Sequence, residues 1–327
     1  MRVPRVPSRP PRLWATLTAS LSVPLVLVAT LAGCLFSSPT PAPSAAGSGA
    51  LRTAPVTPSA SPAASPSDSP SPSPEPSIAP VAVKPEACPG TNRNPGYGSG
   101  RRLYASSANW SGYVAATRKT GVTCVEASWV EPSVTCPDTG HQAVAIWIGI
   151  DGFASKTVGI PATDVLVQIG TQADCSDGVA AHSAWYEILP GETNEVPIAA
   201  RIQAGDHMSA RISYESDSFT LVLYDEEAEG SFTLNAPAPE APRKSAEWIV
   251  EAPAVDCPGT CAPIALPSFG SIRFTGAYVT IADQRSSIND YSWTNIRLKM
   301  VRAGITRANT SILTSLGTSF KVTWAHS

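Results

Sequence analysis

Apolar positions in this chain come in short runs. Ala143–Ile150 is almost wholly apolar and ends in Asp151-Gly152. Val165–Ile169 follows, and then Ala184–Leu189, closed by Pro190. Each run is four to eight residues long, rich in aliphatic or aromatic side chains, and bounded by Gly, Asp or Pro, which predicts neighbouring β-strands. Three of the runs carry or end on a polar residue: Asp151, Gln168 and Glu187. A polar group on a buried strand face costs free energy unless it is bonded or has chemistry to do. Three such groups on consecutive strands therefore suggest the lining of a cleft.

The same spacing continues. Strands are expected at Trp110–Ala116, Val122–Val130, Ile198–Ile202, His207–Ser213, Thr220–Tyr224, Ser231–Asn235 and Ser245–Val250. Further strands are expected at Ile272–Thr275, Ala277–Ile281, Ile296–Val301 and Ser319–Trp324. Alternation is clearest in Met208–Tyr214. No long segment has helical periodicity. Many short strands at near-even spacing predict an all-β fold, an antiparallel β-sandwich or barrel.

Before these strands the composition changes. Residues 1–33 read as a secretory leader, with Arg2, Arg5, Arg9 and Arg12 ahead of an apolar segment. It ends in Leu31-Ala32-Gly33-Cys34, a pattern that resembles a bacterial lipobox, so Cys34 is the expected lipidation site. Residues 34–87 are dominated by Ser, Pro, Ala and Thr in low-complexity order and cannot bury enough apolar surface to fold. At about 3.1 Å per residue, such a tether would hold a domain on the order of 100 Å from its anchor. Residues 88–327 make the expected folded domain, on the extracellular face of the membrane or released from it.

Charge and cysteine usage narrow the partners. The chain carries 23 Lys and Arg against 26 Asp and Glu. Removing the four arginines of the leader brings the net charge from −3 to about −7. With no basic patch, nucleic acid is not an expected partner. Of seven cysteines, six remain after Cys34 is set aside. In an exported chain they are expected as disulfides, with Cys88–Cys124, Cys136–Cys175 and Cys257–Cys261 as the expected set among fifteen pairings. There is no Cys-x-x-Cys pair, and His141, His182, His207 and His326 are scattered, so no zinc site and no cofactor is expected.

Seven blocks in order over about 170 residues resemble the glutamic peptidases, the eqolisin family of acid endopeptidases. They are Asn109–Tyr113, Ser128–Pro132, Trp147–Gly152, Val167–Thr171, Ala184–Glu187 with Pro190, Ala246–Glu251, and Leu266–Gly270 with Phe274. The resemblance implies a lectin-like, concanavalin A-type sandwich with substrate on a concave sheet face. It implies a catalytic Gln168 and Glu251, with Glu247 the alternative on the same strand, since residues four apart share a face. It also implies Trp147, Asp151, Trp185 and Glu187 as lining or support, and a monomer acting on polypeptides. Ala145, Ser183 and Leu189 stand where the family often has Thr, an acid and an aromatic.

The chemistry fits those residue types. Amide hydrolysis needs an activated water and a partner for the charge on the carbonyl oxygen. A carboxyl can move the protons, and a side-chain amide can donate to the oxyanion. Glu has an ordinary pKa near 4.3, from which an acid optimum is expected. Three rival readings follow from the same residues. A Ser-His-Asp hydrolase lacks a Gly-x-Ser-x-Gly turn. A glycosidase pairing Glu187 with Glu251 leaves Gln168 without a task. A non-catalytic lectin-like module binding carbohydrate or protein would need neither dyad residue.

Overall fold

The computed structural model describes residues 84–93, 101–118, 121–191, 195–237, 240–254 and 262–327. Cys34, Cys257, Cys261, the leader and most of the tether lie outside the described residues. Seventeen strands follow in chain order: β1 (Thr91–Asn92), β2 (Arg102–Ser107), β3 (Trp110–Ala116), β4 (Val122–Val130), β5 (His141–Asp151), β6 (Leu166–Ser176), β7 (Val179–Leu189), β8 (Val196–Ile198) and β9 (His207–Glu215). They continue with β10 (Ser218–Asp225), β11 (Gly230–Pro237), β12 (Ser245–Glu251), β13 (Ser271–Ile281), β14 (Gln284–Ser287), β15 (Thr294–Arg302), β16 (Ile305–Thr310) and β17 (Phe320–Trp324). Among the described residues there is no helix.

The strands form two layers. One sheet runs β14-β13-β4-β9-β10-β11. The other runs β8-β7-β6-β5-β12-β3-β15-β2. All these pairings are antiparallel except β2 with β15. β13 belongs to both layers: Ser271–Phe274 pairs with β17, and from Thr275 the strand pairs with β4. The switch falls on a register shift between Thr275 and Tyr278, where Gly276 takes a φ of 57°. A strand that bends at a bulge to change sheets is how the corner of a sandwich is made. The expectation of an antiparallel β-sandwich holds.

Alternation decides what the two layers bury. Val125, Ala127 and Trp129 of β4 face Ile146, Ile148 and Ile150 of β5 across the interior, with Met208, Ala210, Ile212 and Trp248. Buried indoles need partners for their N–H. Trp129 Nε1 donates to Thr171 Oγ1 at 3.0 Å, and Trp248 Nε1 donates to the Glu126 carbonyl at 3.0 Å, so each ties one sheet to the other. Fully burying a large apolar side chain contributes roughly 1.5–3 kcal/mol, and these indoles add a directional bond. Disulfides Cys88–Cys124 and Cys136–Cys175 are both formed, as expected.

A second, smaller core lies on the other face of the β5 sheet. Ala145 and Trp147 point there with Val114, Leu166, Trp185, Ile249 and Leu298, under Phe153, Val158 and Ile160 of the β5–β6 connection. This double burial explains why β5 reads as a continuous apolar run rather than an alternating one.

Candidate active site

Residues directly opposite one another on paired strands share a face, so the register lays out the outer face of the β5 sheet as a grid. One row reads Glu187, Gln168, Gly149, Glu247 across β7, β6, β5 and β12. The next reads Trp185, Gly170, Trp147, Ile249. The third reads Ser183, Gln172, Ala145, Glu251. Gln168 and Glu251 thus stand on one face at diagonal corners, with Trp147 and Gly170 in the row between. Glycine is required at 170 by close approach: a Cβ there would lie 2.1 Å from the Ile146 carbonyl oxygen.

Glu251 is fixed by two donors. Asn109 Nδ2 donates to Oε1 at 2.8 Å, and Trp147 Nε1 donates to Oε2 at 2.8 Å. Trp147 is itself fully buried, and its ring meets that of Trp110 edge-on at 5.0 Å. The benzo edge of Trp147 closes over Gly149, where a Cβ would come within 2.8 Å. Enclosure of the carboxyl pushes Glu251 up to about 8; the Trp147 and Trp110 indoles pull the other way, and the charges of Glu195 and Glu187 add to the rise. The folded environment therefore favours the protonated form of Glu251 over the carboxylate. An ordinary Glu value as the reason for acid activity is thus corrected by burial.

Gln168 is buried, and its Nε2 donates to Glu187 Oε2 at 2.5 Å. Its Oε1 is buried and has no hydrogen-bond partner among the described residues. A buried, unpaired amide oxygen is costly, and here it faces the side of the sheet that holds the carboxyls. Trp185, expected as a wall lining the cleft, is 3% exposed and packs in the smaller core.

Asp151 and Glu247 have a different place from Gln168 and Glu251. Both Asp151 oxygens are taken by backbone N–H groups, of Arg243 at 2.6 Å and Lys244 at 2.7 Å, where the chain approaches β12. Asp151 holds its own φ at 69° to do so. Asp151, expected as lining or support, supports the site by anchoring the chain that enters the strand carrying Glu251. Glu247 is completely buried, and neither oxygen makes a well-formed hydrogen bond. Burial pushes it well above the usual carboxylate range, weakly opposed by Ser245 and reinforced by Asp151.

Two contributors escape the sequence reading as site residues. Asn109 sits in a motif block but carries no titratable group that would mark it. Glu195, just before β8, is pushed up to about 7 by burial and then by Glu187 and Asp174. Nothing in its polar neighbourhood in the sequence signals that position. A separate cavity of about 680 Å³ opens on the outer face of the other sheet, between Ser128, His207, Ser209 and Arg273. It lies across the sandwich from the carboxyl face.

A β-sandwich that gathers an amide and carboxyls of raised proton affinity on one sheet face is equipped for general acid–base hydrolysis. The chain belongs to the Peptidase A4 family, whose family model matches residues 108–324, and it is accordingly a peptide-bond hydrolase. Its fold is similar to that of scytalido-glutamic peptidase, solved with a transition state analog inhibitor. That likeness has TM-score 0.55 and 21% identity, over 67% of this chain and 98% of that chain. It is likewise similar to SCP-B, a member of the Eqolisin family of peptidases solved in a complex with the tripeptide Ala-Ile-His. Here the TM-score is 0.53 and the identity 20%, over 67% of this chain and 98% of that chain. No curated protein sequence matches the chain.

Raised carboxyls make stability depend on pH in an unusual direction. Glu195, Glu251 and Glu247 keep their protons in the fold at pH values where the unfolded chain has lost them. The stabilisation is complete below about pH 4.5, the unfolded value, and is lost as pH rises through about 7 and about 8. We expect the melting temperature to fall by more than about 5 °C between pH 4.5 and pH 8. Glu247→Gln, which keeps shape without a titratable proton, should flatten that slope. Calorimetry showing stability rising over this range would contradict the assignment.

Proposed function

We propose that this hydrolase is an acid-active endopeptidase in which Gln168 and Glu251 work on one water and one peptide bond. The observation that carries the reading is Glu251, held by Asn109 and Trp147 on the face that also bears Gln168, in surroundings that raise its proton affinity. In acid, one Glu251 oxygen carries a proton and the other does not. Water attacks the peptide carbonyl carbon and passes a proton to the unprotonated oxygen. The protonated oxygen gives its own proton to the carbonyl oxygen, and a neutral tetrahedral diol forms. In the second step Glu251 protonates the nitrogen and takes a proton from a diol hydroxyl as the C–N bond breaks. An acid and an amine leave, and Glu251 ends as it began. The second Nε2 hydrogen of Gln168 stabilises charge on the carbonyl oxygen as it develops, and its unpaired Oε1 accepts from the attacking water. Glu187 keeps the amide oriented. A purely binding, lectin-like module gives no reason for a carboxyl held by two N–H donors beside Gln168 on this face.

Substitutions and pH separate the roles. Gln168→Ala should lower kcat by about 10²–10³, the value of one oxyanion donor. Glu251→Gln should remove turnover on a denatured protein substrate while leaving the fold intact. Activity should persist through the acid range and fall as pH rises through about 8, where Glu251 ionises. A rate that climbs from pH 4 to pH 8 would mean that the carboxylate is the active form.

The domain would work outside the cytoplasm, tethered by the Ser/Pro-rich tract to a lipid on Cys34. The two formed disulfides support an oxidising compartment. Cys34→Ser should move the protein from the membrane fraction to the soluble one; unchanged partitioning would remove the anchor.

A further inference from the structure

The inward alternation of β10 ends on a charge. Phe219, Leu221 and Leu223 face the interior, and the next residue in that series is Asp225. Asp225 is 4% exposed. Its Oδ1 accepts the N–H of Glu227 at 3.0 Å and of Ala228 at 3.2 Å. Its Oδ2 is buried with no hydrogen-bond partner among the described residues. A buried carboxylate oxygen without a partner costs several kcal/mol, on the order of a lost charged hydrogen bond, so a ligand is the natural occupant of that position.

Two further carboxylates converge there. Asp206, immediately before β9, is 7% exposed, and Glu227 lies in the turn after β10. One carboxylate oxygen from each of Asp206, Asp225 and Glu227 lies within 4.8 Å of the others. Asp206 Oδ2 accepts the Gln203 N–H at 2.6 Å. Glu227 accepts from the His207 N–H and from His207 Nδ1, both at 2.5 Å. Each carboxylate oxygen has two lone pairs, so these bonds orient the groups and leave acceptor capacity on each. Glu227 forms an ion pair with His207; among the described residues no Lys or Arg pairs with any of the three.

We propose that Asp206, Asp225 and Glu227 form a structural site for a divalent cation of the calcium type. All three donors are hard oxygens, which suit Ca²⁺ over the softer transition metals. The site pins the start of β9 to the end of β10. It also reaches β4, because Glu131 exchanges backbone hydrogen bonds with Asp206 and Gly205 at 2.9 Å each. Glu131 in turn pairs with His182 of β7 at 2.8 Å. The cation thus braces the sheet opposite the catalytic face, at the rim of the cavity lined by Gly205, His207 and Glu226.

The test is thermal unfolding of the full chain at pH 7.5 after chelation, with CaCl₂ or MgCl₂ added, together with calorimetric titration of Ca²⁺. We expect saturable binding of one ion with a Kd of about 0.1–1 mM, as in extracellular modules, and a melting temperature that rises with Ca²⁺. Asp225→Asn should abolish the response. Because that residue is buried and its variant could fold poorly, Glu227→Gln at the exposed edge is the second variant, expected to weaken Ca²⁺ binding by more than about tenfold. Asp217→Asn, on the distant turn between β9 and β10, should leave binding unchanged. No binding up to 10 times that Kd range, or equal binding by wild type and Glu227→Gln, overturns the proposal. Peptidase activity is not the readout, so failure here is separate from failure of the Gln168–Glu251 reading.

Discussion

The hydrogen bond from the Trp147 indole to Glu251 joins the two halves of this molecule, its packing and its chemistry. Trp147 is buried because β5 is covered on both faces, and its N–H then needs an acceptor. Glu251 supplies one, at the cost of leaving water. The same contact that satisfies the indole holds the carboxyl in a place where its charged form is disfavoured. Asn109 completes the cradle from β3's leading edge. Removing the ring would open a cavity in the smaller core and free the carboxyl to move, so the acid cannot be considered apart from the packing.

Around this contact the structure gathers carboxyls that depend on protons. Glu187, Glu195 and Glu251 feel one another's charge, and Asp151 with Glu247 forms a second pair deeper in the sheet. Like charges in a low-dielectric setting raise one another's proton affinity. A molecule built this way is most stable in acid, and the condition that relieves its enclosed carboxyls is the one in which, on the mechanism proposed, a neutral Glu251 takes and gives a proton. Stability and chemistry share one physical cause.

Much of this was legible in the sequence, for reasons that differ by element. β3 and β4 begin and end at the expected residues because their apolar runs are sharply bounded. β6 and β7 run longer than their apolar cores, since they pair along Ser176 and Val179 beyond the buried part. β13 was expected as two strands; Gly276 makes a bulge, which bends the strand without ending it. β2, β14 and β16 carry sequences such as Gln284–Ser287 that show no apolar alternation, and they form because neighbouring strands offer free edges. β8 lies at Val196–Ile198 rather than Ile198–Ile202, the later residues being a loop whose Ile202 packs inward. In the site, motif blocks singled out Gln168, Trp147 and Glu251. Proton affinity was not legible, because it comes from enclosure by residues distant in the chain.

The most direct measurement is the proton affinity of Glu251 itself. Carboxyl carbons labelled in Glu and followed by NMR from pH 3 to pH 10, with Glu251→Gln to assign the signal, would report it in the substrate-free protein. A titration near 8 is the expected result. A titration near the ordinary Glu value of about 4.3 would contradict the claim that burial beneath Trp147 keeps this carboxyl neutral in acid.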